Sequence, residues 1–229
     1  THLSERSTLT LDLGAFSSAW DASGQLPQRA VASGALGRWG AIDDLEGGAT
    51  GRRNLNLTFR SIGRNNSDFT AQAYLSRYDF KLFSNFTFFL EDPVHGDMIE
   101  QVDDRQLFGF KSDYSFYHNL GSMLVRATLG GGMRGDDTDV ALWKNNGRAR
   151  ARPLVDSRVL ERNFHMWGRE EIFLNPQWRL MLGLRADYFT FNVADRLEGQ
   201  PADLPHASGY AQNRVLSPKV MLAYSPSRS

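Results

Sequence analysis

The sequence has 229 residues and a formal net charge of zero, with 26 Lys and Arg against 26 Asp and Glu. A neutral chain gives no electrostatic argument for nucleic-acid binding, and the absence of cysteine excludes disulfides and thiolate chemistry. No run of about 18 apolar residues occurs, which excludes a transmembrane helix but not a membrane β-barrel, because a barrel hides its apolar residues in alternation.

Two alternating stretches open the chain. Residues 7–20 set Leu9, Leu11 and Leu13 on one face, and residues 52–62 repeat the pattern with two leucines and a phenylalanine. Alternation with a period of two is typical of a strand whose faces meet different surroundings. The residues between the two stretches are rich in Gly, Ala and Asp and carry no sustained helical or strand pattern, which predicts a long loop.

Residues 67–90 form the longest alternation and follow a short turn of Gly and Asn residues. The apolar residues fall on odd positions from Phe69 to Leu75 and on even positions from Phe80 onward. About ten residues suffice for a strand to cross a bilayer, so we expect the crossing to end near Tyr78. Beyond it lipid no longer enforces the facing, and we predict a β-bulge or bend between Leu75 and Phe80.

Five further strands are predicted in the second half. The strand before the last begins and ends its apolar row with Trp178 and Tyr188, as the outward row of an outer-membrane barrel strand does. In the sixth strand Glu170 falls on the same face as Phe164 and Met166, and the direction of its carboxylate is left open. The predicted ranges are residues 104–117, 120–134, 158–174, 177–193 and 215–224.

The connections alternate between long and short. Long ones include residues 135–157 and 194–214, and tight turns fall at residues 63–66, 118–119 and 175–176. Bacterial outer-membrane barrels place short turns on the periplasmic side and long loops outside the cell. The sequence therefore predicts an all-β fold, an antiparallel transmembrane β-barrel segment of about eight long strands with short periplasmic turns and long extracellular loops.

Four phrases of the sequence resemble the barrel domain of TonB-dependent outer-membrane receptors. They are SNFTFFLEDPVHGDMIEQVDDRQLFGF at 84–110, WDASGQLPQRAV at 20–31, MLGLRADYF at 181–189 and LSPKVMLAYSP at 216–226. The resemblance covers essentially the whole chain and implies a barrel of about 22 strands with a plugged lumen. It also implies a receptor in the cell outer membrane, energised by a TonB-type system, that imports a scarce nutrient such as a metal chelate, cobalamin or a sugar.

The chain departs from a complete receptor of this kind. The predicted strands are too few, and the sequence has no recognisable plug domain, energy-coupling box, signal peptide or terminal aromatic residue. We therefore expect residues 1–229 to be a partial receptor barrel, without the plug domain and the remaining strands. Cut from a wide barrel, such a piece has open edges, and alone it is not expected to transport anything.

Two other functions stay open on the sequence alone. A complete small eight-stranded outer-membrane barrel, acting as an adhesin or a structural protein, fits the predicted strand count but not the missing terminal aromatic. A soluble β-barrel or sandwich that binds a ligand leaves unexplained why the long connections all fall on one edge.

No catalytic or metal-binding arrangement stands out. The Asp residues at 136, 137 and 139 lack the glycine and the terminal glutamate of a calcium loop, and the histidines have no ligand spacing. We therefore expect neither an enzyme nor a cofactor nor a metal site. The expected partners are outer-membrane lipid, the plug domain, the TonB-type coupling system and a small-molecule nutrient, with no nucleic acid. The histidines are His2, His95, His118, His165 and His206.

The most suggestive polar cluster is GRARARP, with Arg148, Arg150 and Arg152 at alternate positions. In an extended strand the three guanidinium groups would project to one side. Such a comb could grip the carboxylates or phosphates of an anionic ligand or of lipopolysaccharide. The alternative is a solvated loop whose charge is balanced by nearby aspartates.

Seven charged residues fall opposite the apolar rows of their strands. In a barrel these positions face the lumen, where the side chains would line the wall against the plug. They are Arg60, Lys111, Asp113, Arg126, Arg185, Asp187 and Lys219.

Overall fold

The computed structural model describes residues 2–197 and 207–226, and most of them lie in one antiparallel sheet. His206 lies outside the described residues. Within these ranges nine strands pair in sequence order. The strands are β1 (His2–Ser4), β2 (Ser7–Asp21), β3 (Gly47–Ile62), β4 (Asp68–Ser84), β5 (Ile99–Leu120), β6 (Met123–Asn146), β7 (Ala149–Phe173), β8 (Trp178–Asp195) and β9 (Gly209–Tyr224).

The remaining elements are short. An α-helix, α1 (Gln28–Ala32), lies in the loop after β2, and a 3₁₀ turn at Arg64–Asn66 joins β3 to β4. Asn65 and Asn66 adopt positive φ angles there, as expected of asparagine in a tight turn. In the described part of the chain no helix is long and apolar enough to cross a membrane.

The sheet is open. Over residues 2–197 and 207–226, β9 pairs only with β8, and β1 pairs only with β2. The predicted fold class is confirmed: the chain forms eight long antiparallel strands, to which the structure adds the short β1. The two outermost strands each leave one side of the backbone without a ladder partner.

One face of the sheet carries a continuous apolar surface. Leu13 lies opposite Leu55, Leu55 opposite Leu75, and Leu75 opposite Phe108. We call the face with these four side chains the outer face and the opposite one the inner face. The predicted row of β8 also lies on the outer face, where the ring of Trp178 packs 4.7 Å from that of Tyr224 at one end.

The prediction of a long connection at residues 135–157 is wrong. β6 and β7 continue through this region as one hairpin, and the turn between them is only two residues long, Gly147 and Arg148. Gly147 adopts a φ of 58°, which glycine reaches without steric cost. Two register shifts near the tip leave Leu154 and Ala151 without a partner in β6, so each is an extra residue of β7.

The bulge predicted in β4 is also wrong. β4 pairs with both neighbours without a register shift, and residues 85–90 belong to the loop that follows. What changes beyond Leu75 is the polarity of the two faces. The outer face there carries Arg77, which pairs with Asp104 over 3.1 Å, whereas the inner face carries Phe80, whose ring lies 6.3 Å from that of Trp20.

Candidate functional site

The ladder register places all seven predicted charged residues on the inner face. Thr70 of β4 lies between Arg60 on β3 and Asp113 on β5, its partners in the two neighbouring strands. The same cross-strand row continues to Arg185 on β8. The next row contains Lys111 and Asp187. The polar inner face is therefore a band of charges that crosses the sheet from β3 to β9.

Two of the seven belong to a hydrogen-bonded network. Two guanidinium nitrogens of Arg185, Nε and Nη2, each donate a hydrogen bond of 2.7 Å to the carboxylate of Asp187. Asn163 Nδ2 donates to the same carboxylate over 3.0 Å, and the ring of His165 contacts Asn163 Oδ1 at 3.1 Å. Asn163 and His165 were not among the predicted site residues, although both lie opposite inner-face residues of β8, as their odd numbers in β7 indicate.

Arg126 reaches across a whole strand. Its Nη2 pairs with Asp68 on β4 over 3.1 Å and so passes β5, whose Ser115 shares a hydrogen bond of 2.9 Å with Thr128 of β6. In contrast, no hydrogen bond or ion pair of the side chains of Arg60, Lys111, Asp113 and Lys219 is found within the described ranges. These four charges are available to a partner that covers the inner face.

The predicted arginine comb does not form. The register shift at Ala151 puts Arg150 opposite Asn145 and Arg152 opposite Lys144, so the two guanidinium groups lie on opposite faces. Arg150 lies on the outer face and donates two hydrogen bonds, of 2.7 and 2.9 Å, to Glu100. An alternating sequence keeps its facing only while no bulge intervenes, which explains the error.

Glu100 joins several side chains at the end of the sheet next to the β6–β7 turn. Only 2% of its surface is exposed, and besides Arg150 it pairs with Lys81 over 3.5 Å. Burial raises the pKa of Glu100, but the hydrogen bonds and charge of Arg150 together with the charge of Lys81 outweigh it and leave the pKa below its ordinary value. The guanidinium of Arg150 also lies 4.7 Å from the centre of the Trp143 ring.

The other two arginines have separate roles. Arg148 donates from Nε to the carbonyl of Leu45 over 2.9 Å and lies over the ring of Phe83. Arg152 is exposed and, within residues 2–197 and 207–226, has no hydrogen bond or ion pair. It borders a cavity of about 400 Å³ together with Asp92 and Lys144.

A single carboxylate organises the loop after β4. Asp97 accepts hydrogen bonds from the backbone N–H groups of Glu91 and Asp92 and from the hydroxyl of Thr87, at 3.0, 2.9 and 2.7 Å. Lys144 of the β6–β7 hairpin donates to it over 2.9 Å. The bond from Glu91 is the largest cause, and together these bonds hold the pKa of Asp97 well below its ordinary value.

The acidic run that resembles a calcium loop lies in the β6 ladder instead. Its carboxylates pair with arginines: Asp136 with Arg134 at 2.8 Å and Asp137 with Arg158 at 2.6 Å. Asp139 pairs with Arg196. Within the described ranges no group of three or more His, Asp or Glu side chains is placed to hold a metal ion.

Glu170, whose direction the sequence left open, points to the outer face. It lies opposite Ala127 and Leu182, near the end of β7, and its side chain is half exposed. His118 on β5 lies 3.8 Å from its carboxylate. Two polar side chains thus meet on the outer face at the edge of the apolar surface, close to the short turns.

The comparisons with known proteins give the family and the fold. A family model described as TonB dependent receptor-like, beta-barrel, matches residues 2–229. Among solved structures the chain is similar to the ferric citrate transporter FecA in its unliganded form, at 12% identity and a TM-score of 0.77, covering 96% of this chain and 31% of that one. A search of the curated proteins gave no significant match.

Two further structures share the fold. The copper transporter OprC aligns at 14% identity and a TM-score of 0.63, over 99% of this chain and 33% of its own. The ferric-catecholate import receptor Fiu from E. coli K12, in an open form, aligns at 8% identity and a TM-score of 0.58, over 95% and 41%. The chain therefore spans less than half the length of each of these three proteins.

The match of the family model extends over nearly the whole chain, and the open antiparallel sheet agrees with a section of a wide barrel wall. This chain belongs to the family of TonB-dependent receptor-like β-barrels.

Proposed function

We propose that this chain is part of the barrel wall of an outer-membrane receptor that imports a scarce nutrient under the control of a TonB-type system. Its membership of the family is the observation that carries the proposal. The outer face supports it, because Leu13, Leu55, Leu75 and Phe108 form an apolar surface of the kind that lipid requires. Residues 1–229 then need a plug domain and further strands to complete the receptor.

The imported nutrient is proposed to be a small molecule, with a metal chelate ahead of cobalamin or a sugar. The three similar structures are named as transporters or receptors of ferric citrate, copper and ferric catecholate. Ferric citrate and ferric catecholates are anionic, and exposed arginine is a suitable partner for such ligands.

The inner face is proposed to line the lumen and to contact the plug. Four of the predicted residues, Arg60, Lys111, Asp113 and Lys219, have no ion-pair partner within the described ranges. Charged side chains that are unpaired on the inner face of a barrel can form ion pairs with a domain that fills the lumen. The Arg185–Asp187 pair is already satisfied within the sheet, and we propose that it braces the wall.

Of the three predicted ligand-binding arginines, we propose Arg152 as the one that contacts an anionic ligand. It lies on the inner face at the extracellular end, exposed and without a partner among the described residues. Arg148 and Arg150 are engaged by Leu45 and Glu100, which supports a structural role for both.

Uptake by the full-length receptor tests the proposal. Cells that express it in place of their own receptors are given ferric citrate, a ferric catecholate, a copper chelate and cobalamin as probes, with and without a working TonB system. We expect TonB-dependent uptake of at least one probe, and a several-fold loss of uptake of an anionic chelate on Arg152→Gln.

Arg53→Gln is the matched control, because Arg53 is also exposed and unpaired within the described ranges but lies on the outer face. Equal losses in the two variants would contradict the role of Arg152. If correctly inserted receptor takes up no probe in a TonB-dependent way, the proposed transport of chelates is wrong.

A further inference from the structure

Two acidic side chains from the loop after β2 meet an asparagine from the loop after β4. The backbone N–H of Asn85 donates to Glu46 Oε1 over 3.0 Å, and its side-chain Nδ2 donates to Asp43 Oδ2 over 2.8 Å. Glu46 and Asn85 are only 5% and 4% exposed, and Asp43 is half-buried. We call this arrangement the Asp43–Glu46–Asn85 site.

The site has more acceptor oxygens than donors. Asn85 Oδ1 is buried without a hydrogen-bond partner, although it belongs to the same amide group whose nitrogen contacts Asp43. The Glu46 carboxylate packs directly against Gly24, where a Cβ would overlap Oε2. An unpartnered buried oxygen and two adjoining carboxylates together favour a positively charged occupant.

Neither carboxylate is paired with a positively charged side chain of the described residues, and the guanidinium of Arg148 donates to the carbonyl of the neighbouring Leu45 instead. Within residues 2–197 and 207–226, no Lys, Arg or His side chain forms an ion pair with Asp43 or Glu46. A buried carboxylate without a compensating charge is costly, so the group must take up a proton or a cation.

We propose that Asp43, Glu46 and Asn85 bind a divalent cation of the calcium type, which fastens the loop after β2 to the loop after β4. Carboxylate and amide oxygens are the ligands that Ca²⁺ takes in proteins. Asn85 Oδ1 coordinates the ion, whose charge neutralises both carboxylates. Water or backbone carbonyls complete its coordination shell. With so few charged ligands the expected dissociation constant is about 0.1–1 mM, as in extracellular modules.

Calorimetric titration of calcium chloride into the detergent-solubilised, metal-stripped full-length receptor tests the site. The variants are Glu46→Gln and Asp43→Asn, and the matched control is Asp44→Asn, whose exposed carboxylate neighbours the site in sequence. We expect both site variants to lose one equivalent of bound Ca²⁺, or to bind it at least about tenfold more weakly. The control should bind as the native receptor does. Asp43→Asn keeps the test informative if Glu46→Gln fails to fold.

Two outcomes overturn the proposal. One is equal calcium binding by the native receptor and the two site variants. The other is an absence of saturable binding together with a higher melting temperature of Glu46→Gln in calcium-free buffer, which would show that Glu46 carries a proton instead. Neither outcome affects the proposed nutrient transport, which is measured separately.

Discussion

At the scale of single residues, buried carboxylates help to hold the end of the sheet next to the β6–β7 turn, beside the buried side chains of Phe83 and Met98. Asp97 accepts four hydrogen bonds, three of them from its own loop and one from Lys144. Buried acceptors of this kind stabilise a fold through the geometry they impose, because each donor would otherwise be left unpaired. The side chain of Asp97 thus shapes the loop and ties it to the β6–β7 hairpin.

Replacing Asp97 by Asn should loosen this loop. The amide presents an N–H group to donors that need an acceptor, so we expect the backbone amides of Glu91 and Asp92 to exchange at least about tenfold faster. Hydrogen exchange of the full-length receptor measures this, and Asp104→Asn, a half-exposed carboxylate on the outer face, serves as the control. Unchanged protection of Glu91 and Asp92 would show that the loop is held by other contacts.

The same effect has a defined pH dependence. The pKa of Asp97 is lowered in the folded chain, so its stabilising contribution is complete above the ordinary carboxyl pKa. The contribution is lost as the pH falls through the lowered value. Mild acid should therefore leave the loop protected.

At the scale of elements, alternation of apolar and polar residues locates a strand only where its two faces meet different surroundings. Where the outer face is apolar, as from Phe69 to Leu75, the sequence places both the strand and its facing correctly. Beyond Leu75 the polarity of the two faces is mixed, with Arg77 on the outer face and Phe80 on the inner one, and the pattern no longer distinguishes a ladder from a loop. For this reason the sequence predicted a long loop in place of the β6–β7 hairpin tip. It also placed the start of β3 later than Gly47, where the strand begins.

Parts of the candidate site were beyond any sequence pattern. The inner-face positions of Arg60 and Asp187 follow from parity alone, once the strands are placed. The separation of Arg150 from Arg152 depends on one extra residue in β7, and the meeting of Glu46 with Asn85 depends on how two loops fold over the strand ends. Neither leaves a periodic trace in the sequence.

The unbroken facing of β4 can be tested by single cysteines, because residues 1–229 contain none and any cysteine elsewhere in the receptor can first be replaced. In full-length receptor in lipid vesicles, we expect a membrane-impermeant maleimide to label Arg77→Cys at least about tenfold faster than Leu75→Cys, which lipid covers. Phe80→Cys, on the inner face beside Trp20, should also react slowly. Rapid labelling of Phe80→Cys with slow labelling of Asp79→Cys would instead indicate a bulge.

At the scale of the whole molecule, the open sheet leaves two sets of backbone groups without ladder partners. The free side of β9 and that of the β1 end have no neighbour among the described residues. In lipid such groups are costly, and in water an exposed strand edge pairs with other chains. The remaining strands of a receptor would remove both edges by closing the barrel.

Residues 1–229 expressed alone should therefore not form a stable barrel. After refolding in detergent we expect no folded band that shifts on heating in gel electrophoresis, and we expect association into larger species. The full-length receptor, treated in parallel, should show the shift. A monodisperse, heat-modifiable band from residues 1–229 would support a complete small barrel instead.

Three connecting segments at one end of the sheet are hydrogen-bonded to one another in a ring. Arg148 at the tip of the β6–β7 hairpin donates to Leu45 in the loop after β2. Glu46 in that loop accepts a hydrogen bond from Asn85 in the loop after β4. The loop after β4 in turn contacts the hairpin, where the N–H of Asn145 donates to the carbonyl of Met98. A closed ring of contacts does not allow one member to swing while the others stay in place. We therefore expect the three segments to move together as one rigid body when a ligand binds, rather than independently of one another.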